Sequence, residues 1–569
     1  TVIDRTQKIV NEKKSDFKIE KINFEDEKVY NLLSSGKTVG LFQLESSGMK
    51  DALINMKPNM LEDIIALVAL YRPGPMSNIP IYNECKHGKR DPDYLHPKLR
   101  NILEPTYGVI IYQEQVMQIA QTLSGFTAGE ADILRRAMGK KKRSELEKQK
   151  QRFVDGAYRN GINKEVAAGI FLKIEPFAEY GFNKSHAAAY AVIAYQTAYL
   201  KTYFPHEFFA ASMSMELSNQ KKLSEFYEEL KRLNIKIIKP DINECFAEFA
   251  SNGDNFLYAL GAIKNVGYEA ISNIVKEREK NGKFKNLSDF INRVDPKDIN
   301  KLQLEGLVKA GAFDNLNQNR QALFNSIPNI ILKSKNNFEN KVANQINLFS
   351  NEEELEDNII EDITDWDTDI RLSNEFETLG FFISDHPLNQ FKSIFDQYNI
   401  ISFDVFENDN NTVSSNVACT VLKVMEKKTQ KGTSYAIVKF SDLKSSFELF
   451  IFSDIFELNR GQLIEGNSLM LTLMKNYSDE NKIQKKINVK KIISLKEVLN
   501  KPIEEINIEI NNMNDLVYIK SLESNAGKTK VKVHVIHDDK TFIFLLKDMR
   551  NLDHKLINSL KNSDNIKIV

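Results

Sequence analysis

Cysteine is scarce in this chain, with three residues in 569. Cys85, Cys245 and Cys419 lie too far apart for a disulfide framework or a zinc site, which excludes both. The usage fits a reducing, cytoplasmic compartment. A charge excess of either sign is missing too, with 77 basic residues against 78 acidic ones. No global field therefore recruits a polyanion, and any nucleic-acid binding must come from local patches. No apolar run approaches the length of a membrane span and no signal peptide opens the chain, so no membrane partner is expected. Phosphate loops are lacking as well. Ser35-Gly36-Lys37-Thr38 and Asn525-Ala526-Gly527-Lys528-Thr529 tempt that reading, but Asn31 and Leu522 stand where the first glycine belongs.

The chain is too long for one core, and about three or four domains are expected. Thr1 has no Met before it and falls in what reads as the middle of a helix (Val2, Ile3, Ile9, Val10), so we expect a cut end there. The most informative stretch runs from Thr127 to Lys201. It carries a basic elbow, Arg135-Arg136-Ala137-Met138-Gly139-Lys140-Lys141-Lys142, followed by Gly181-Phe182-Asn183-Lys184-Ser185-His186. Thr127 with Glu130 reads as a capping box, and Gly139 is placed to end that helix. Ser144 with Glu147 caps a second helix ending near Asn160-Gly161, and Asn163 starts a third that Gly181 closes. Ser185 starts a fourth, reaching Pro205. Cations gathered at helix ends suit a triphosphate or a nucleic-acid backbone. Cations also simply offset a helix macrodipole, and charge runs usually face water, so spacing alone leaves both readings open. Tyr190, Tyr195, Tyr199 and Tyr203 recur at helical period and read as core, although Tyr190, one turn from His186, could stack on a base. Arg72, before the rigid Pro73-Gly74-Pro75 turn, is either a helix-end charge, the favoured reading, or a substrate contact.

Further along, Leu260-Gly261-Ala262-Ile263-Lys264-Asn265-Val266-Gly267 and a helix from Glu269 to Glu279 resemble a helix-hairpin-helix. A second such unit spans Leu302 to Phe313, with its bend at Gly311. Glycine hairpins let backbone N–H groups approach a phosphate whatever the base sequence, with Lys264 adding charge. Gln345-Ile346-Asn347-Leu348-Phe349 stands in a polar stretch whose acidic tract, running to Asp369, reads as disordered spacer. Short alternating runs at Tyr435–Phe440, Phe447–Phe452 and Leu469–Met474 suggest a small β-barrel. On it, Lys423, Lys427, Lys428 and Lys431, with Tyr435 and Phe450, are either ordinary surface and core or a grip on single-stranded template. Residues from about 503 onward read as a small α/β piece with a strand at Val531–Ile536.

Several blocks resemble the fingers region of bacterial DNA polymerase III alpha subunits: Gly40 to Ser46 (GLFQLES), Tyr71-Arg72-Pro73-Gly74-Pro75, Glu104 to Gly108, and Tyr112 to Met117. Arg135 to Lys142 and Tyr180 to His186 continue the match in order. The resemblance implies a multi-domain, mainly α chain (fingers and tandem helix-hairpin-helix) followed by an all-β oligonucleotide-binding (OB) barrel and a small α/β C-terminal domain. It further implies fingers over 1–235, hairpins over 236–325, a linker with a sliding-clamp-binding motif over 326–375, a connector over 376–410, an OB-fold over 411–496 and a clamp-loader-docking domain over 500–569. Arg135, Arg136, Lys140, Lys141, Lys184, His186 and Tyr190 would then contact the incoming deoxynucleotide (dNTP), and Gly261, Lys264 and Gly267 the primer-template DNA. Gln345, Leu348 and Phe349 would anchor the beta sliding clamp, and the C-terminal region would meet the tau subunit of the clamp loader.

Polymerisation uses divalent metals, Mg2+ in this family, held by palm aspartates. Asp91-Pro92-Asp93 and the Asp365 to Asp369 carboxylates lie in the wrong neighbourhoods, and those aspartates fall upstream of a segment like Thr1 to Asp4. No catalytic or metal-ligating residue is therefore assigned here, and the piece alone is expected to be inactive as an enzyme. The alternative is a non-catalytic DNA-binding adaptor that tethers partners to the clamp.

Overall fold

The computed structural model describes residues 1–13, 16–139, 143–253, 255–342, 360–409, 411–429, 432–477, 485–500, 505–510, 526–537, 540–550, 552 and 567–568. They form two compact units, Thr1–Ile238 with Glu244–Ala262, and Lys239–Asn243 with Ile263–Val569.

The first unit is helical. Its helices are α1 (Val2–Lys13), α2 (Glu27–Ser34), α3 (Ser47–Met56), α4 (Leu61–Leu70), α5 (Ile79–Lys86), α6 (Arg100–Leu103) and α7 (Gln113–Ser124). There follow α8 (Ala128–Gly139), α9 (Arg143–Arg159), α10 (Lys164–Tyr180), α11 (Lys184–Tyr203), α12 (Pro205–Ser214) and α13 (Gln220–Arg232). A three-stranded sheet completes it, with β1 (Lys236–Ile238) parallel to β3 (Asn255–Leu257) and β2 (Ala250–Ser251) antiparallel to β3.

Local chemistry sets the helix starts. Thr127 and Glu130 form the expected reciprocal capping box, with the Thr127 N–H donating to Glu130 at 2.9 Å and the Glu130 N–H to the Thr127 hydroxyl at 3.3 Å. Asn163 caps α10 by accepting from the Glu165 N–H at 2.7 Å. Two expected caps are corrected. Helix α9 begins at Arg143, which puts Ser144 inside its first turn. The cap of α11 is Asn183, not Ser185, because its side chain accepts from the His186 N–H at 2.8 Å.

Helices α7 to α10 close around Val116, Ile119, Leu123, Leu134, Phe153, Phe171 and Ile174. At Gly156 a Cβ would lie 2.3 Å from the Ser124 carbonyl oxygen, so glycine is what lets α9 cross the end of α7. Helix α11 packs on α4 and buries Ala187, Ala191, Ala194 and Ala198, small side chains that allow a close approach. Of the tyrosines expected as core, Tyr195 is buried and its hydroxyl bridges the Asp26 N–H and the Asn23 carbonyl, whereas Tyr203 is exposed, its hydroxyl donating to the Asp26 carboxylate at 2.6 Å. Lys201, buried at the far end of α11, donates to the Lys37 and Val39 carbonyls at 2.8 Å each and to Glu229 at 2.5 Å. Burial works against the Glu229 charge, but Arg232 and Lys201 outweigh it and hold the carboxyl below its ordinary range.

The second unit opens with helices α14 (Tyr268–Asn281), α15 (Leu287–Arg293), α16 (Lys301–Lys309), α17 (Arg320–Asn325), α18 (Ile327–Val342) and α19 (Thr368–Leu379). Gly311 makes the expected bend, at φ +80°, where a Cβ would strike the Arg320 guanidinium. The linker expected over 326–375 is corrected at both ends, since α18 and α19 occupy them. The end of the acidic tract is folded rather than spacer. Asp365 accepts from the Gln321 N–H at 3.0 Å and pairs with Arg371 at 2.7 Å, and Trp366 packs against Phe324. Buried Glu375 accepts from the Ile383 and Ser384 N–H groups at 2.6 and 2.8 Å, fixing the turn after α19.

After the short helix α20 (Phe403–Asn408) comes an antiparallel sheet in the order β6-β5-β4-β7-β8: β4 (Ser414–Lys428), β5 (Ser434–Ser441), β6 (Ser446–Ile451), β7 (Ser468–Tyr477) and β8 (Lys485–Ser494). Helix α21 (Ser453–Asn459) lies between β6 and β7 in sequence, and the edge strands β6 and β8 touch. Alternation packs Val417, Val421, Val438, Phe440, Leu449 and Leu471 inside. Helix α22 (Leu495–Asn500) leads to a mixed sheet in the order β11-β10-β9-β12: β9 (Glu505–Ile510), β10 (Ala526–His537), β11 (Lys540–Leu545) and β12 (Lys567–Ile568). The expected strand at Val531–Ile536 is the middle of β10.

Candidate functional site

In the first unit the ends of α7, α8 and α11 converge. Residues Tyr112 and Phe182 form a parallel bridge, with the Gln113 N–H donating to the Phe182 carbonyl and the Phe182 N–H to the Ile111 carbonyl, both at 3.0 Å. The Glu114 carboxylate accepts from the Lys184 N–H at 3.1 and 3.0 Å and from the Asn183 amide at 2.9 Å. With Asn183 taking the His186 N–H, these donors of the α11 N-terminus are satisfied within the protein. An anion arriving here would therefore meet side chains first. Lys184 reaches over the Tyr112 ring, its ammonium 5.5 Å from the centroid.

Beside this junction lies a cavity of about 670 Å³ bounded by the 40–46 loop, Tyr71, Arg72, Phe182, His186 and Tyr190. Its wall is a run of rings. Phe182 to His186 spans 5.4 Å between centroids, His186 to Tyr190 4.5 Å, and Tyr190 to Phe42 5.3 Å. The Arg72 guanidinium sits 3.7 Å over the Phe182 ring. Gly48 makes room for Tyr71, since a Cβ there would fall 2.0 Å from the tyrosine oxygen. The loop itself is pinned. Glu45 accepts from the Gly40 N–H at 3.2 Å and pairs with Lys222 at 2.8 Å, while the Phe42 N–H donates to Thr197 at 3.2 Å. Together these groups offer an aromatic, partly cationic lining, its neighbouring rings tilted by 42° to 62°, suited to an aromatic ligand that carries negative charge.

Arg135 and Arg136 share one carboxylate. Asp132 accepts from Arg135 Nε and Nη2 at 3.0 and 2.9 Å, and its other oxygen pairs with Arg136 Nη2 at 2.6 Å. Arg135 also donates from Nη1 to the Gln113 side chain at 3.3 Å. These hydrogen bonds, Arg135 first, hold the Asp132 carboxyl below its ordinary value.

His186 and Tyr190 thus share the cavity, and Lys184 and Arg135 meet consecutive residues of α7. Arg135 and Arg136 do not line the cavity. Lys140 and Lys141 lie outside the described residues, as do Gln345, Leu348 and Phe349. Of the hairpin residues, the Gly261 N–H donates to the Ala247 carbonyl at 3.1 Å, so that donor does not face a phosphate. Lys264 is exposed, its N–H donating to the Thr378 carbonyl, and Gly267 is the exposed N-cap residue just before α14. Asp132 and Glu114 were not singled out by sequence as site residues, and Arg72, for which a substrate contact was the less favoured reading, lines the cavity. For Asp132 the signal was available, since it precedes the two arginines by one helical turn.

Residues 1–161 match the family model described as the bacterial DNA polymerase III alpha subunit finger domain, and residues 234–323 match the helix-hairpin-helix motif. A polymerase finger domain joined to a helix-hairpin-helix is the class these matches define. Among curated relatives, DNA polymerase III subunit alpha of Borreliella burgdorferi is 38% identical over 95% of this chain and 48% of its own length. That of Rickettsia prowazekii is 39% identical over 95% of this chain and 49% of its own, and that of Caulobacter vibrioides 42% over 79% and 40%. The chain belongs to the bacterial DNA polymerase III alpha subunit family. It spans about half the length of the curated relatives it matches.

Proposed function

We propose that this chain is the nucleotide-presenting and DNA-gripping part of a replicative DNA polymerase, acting in the cytoplasm. Arg135, Arg136, Lys140, Lys141, Lys184, His186 and Tyr190 receive the incoming dNTP, cations on the triphosphate and rings toward the base. Residues 236–325, through Lys264 and the exposed start of α14 at Gly267, hold primer-template DNA by its phosphates. Gln345, Leu348 and Phe349 tether the sliding clamp, and residues 500–569 dock on the clamp loader.

The sheet of β4 to β8 is an OB-fold. Its strand order, the helix between its third and fourth strands and the contact between its edges support that reading. Tyr435 and Phe450 stack 6.2 Å apart on adjacent strands, and Lys423, Lys427 and Lys428 are exposed nearby, a surface suited to single-stranded template.

DNA polymerases use divalent metals, and Mg2+ fits the chemistry of a transferring phosphoryl group. Among the described residues no group of three or more His, Cys, Asp or Glu side chains could hold such an ion. No step is assigned to metal ligands in this chain.

The observation that carries the reading is the pair of ordered arginines beside the α7–α11 junction and its aromatic cavity. The test is primer extension by the complete natural polypeptide over a range of dNTP concentrations. Charge-assisted hydrogen bonds contribute about 1.5–3 kcal/mol each, so Arg135→Ala with Arg136→Ala should raise KM roughly a hundredfold. A KM that stays at the parent value would overturn the nucleotide role of these arginines, and no extension at all by the complete polypeptide would favour the adaptor reading.

A further inference from the structure

Consecutive residues on a helix point about 100° apart, so two adjacent arginines do not face one ligand by default. Here a single carboxylate draws them together. Asp132 lies three residues before Arg135 and four before Arg136, the two spacings that share a helix face with it. One oxygen grips Arg135 through Nε and Nη2, and the other takes one Nη of Arg136, whose side chain remains 65% exposed. Gln113 on α7 takes a third nitrogen of Arg135.

Two consequences pull in opposite directions. A carboxylate beside two guanidinium groups offsets part of their charge and so weakens their pull on an anion. Against that, arginine side chains lose much rotamer freedom when a ligand orders them, and Asp132 has ordered them beforehand. Attraction between exposed charges is screened by salt, whereas the planar guanidinium fork must be correctly aimed to bind phosphate at all. The second consequence therefore wins.

We propose that Asp132 is a positioning residue that sets Arg135 and Arg136 as an aligned pair for the triphosphate of the incoming nucleotide. It rests on the reading of those arginines as nucleotide contacts.

Primer extension by the complete natural polypeptide tests it, with dNTP concentration varied, for Asp132→Asn, Asp132→Ala, Asp132→Glu and Arg135→Ala. Removing the carboxylate should raise KM by roughly three- to tenfold with a smaller change in kcat, as expected when ground-state binding is lost. Asp132→Glu, which keeps the charge one methylene away, should recover part of the loss. Thermal melting separates folding defects from binding defects, and the isosteric Asn variant decides if Ala melts early. An unchanged or lower KM in Asp132→Asn, alongside a raised KM in Arg135→Ala, would overturn the positioning role and leave the nucleotide reading standing. No effect of Arg135→Ala on KM would remove both.

Discussion

The candidate ligand cations of the two units are ordered differently, although both units hold other cations on carboxylates. In the first, Arg135, Arg136, Lys201 and Lys222 are each met by a carboxylate, Asp132, Glu229 or Glu45, and several are held from more than one side. In the second, Lys264 is exposed and has no carboxylate partner among the described residues. What is fixed there is its backbone. Its N–H donates to the Thr378 carbonyl at 3.0 Å, and its carbonyl oxygen approaches so closely to Gly306 that a Cβ would lie 2.7 Å away. Side chains ordered by other side chains can read one ligand geometry. A lysine on a fixed backbone, with a mobile tip, suits a ligand whose charges repeat, such as a duplex.

The contrast breaks most visibly at Lys201. Lys201→Met leaves Glu229 buried with less compensation and two carbonyls without their donor, and should lower unfolding free energy in urea by about 3–5 kcal/mol. The pH dependence has a definite sign. A depressed folded-state pKa means the Glu229 contribution is complete above its ordinary value of 4.5 and is lost as pH falls through the lowered one. Glu229→Gln should flatten that part of the acid limb relative to the parent.

Gly306→Ala probes the backbone-ordered region. Alanine normally stabilises a helix over glycine by about 1 kcal/mol, but here the added methyl meets a carbonyl that must move. The net change should be a loss of about 1–3 kcal/mol in stability with weaker duplex binding. A stabilised variant would mean the hairpin backbone is not fixed as described.

The smallest effect belongs to Lys264→Ala. It should weaken duplex binding equally across base sequences and reduce the slope of log affinity against log salt by about one, read by fluorescence anisotropy at several salt concentrations. Sequence-dependent loss would place Lys264 with the point-specific cations instead.

Local signals were legible in the sequence, and contacts between distant segments were not. The Thr127–Glu130 box, the Asn163 cap and the alternating strands each depend on residues a few positions apart. Ser185 reads as the start of α11 from its residue type alone, and nothing local to it points to Asn183. The choice is made by Glu114, which captures the Lys184 N–H from another helix. Arg72 read as a helix-end charge because nothing nearby in sequence announces the Phe182 ring beneath it. The polar, acidic composition before Asp369 hid the anchoring of Asp365 and Trp366, which depends on partners at Gln321, Arg371 and Phe324. Strand positions followed from alternation, whereas the order β6-β5-β4-β7-β8 follows from pairings that no single strand encodes.

Helix α11 has a mechanical consequence. It is bolted at one end, where Lys201 fastens it to the 37–39 backbone and to Glu229, and it carries His186 and Tyr190 near the other. At 1.5 Å per residue, the arm from Lys201 to His186 is about 22 Å, so a tilt of about 10° would sweep the imidazole through about 4 Å. The Glu114 clasp on Lys184 sits where that sweep would be largest, and opposes it together with the packing of Ala187 to Ala198 on α4.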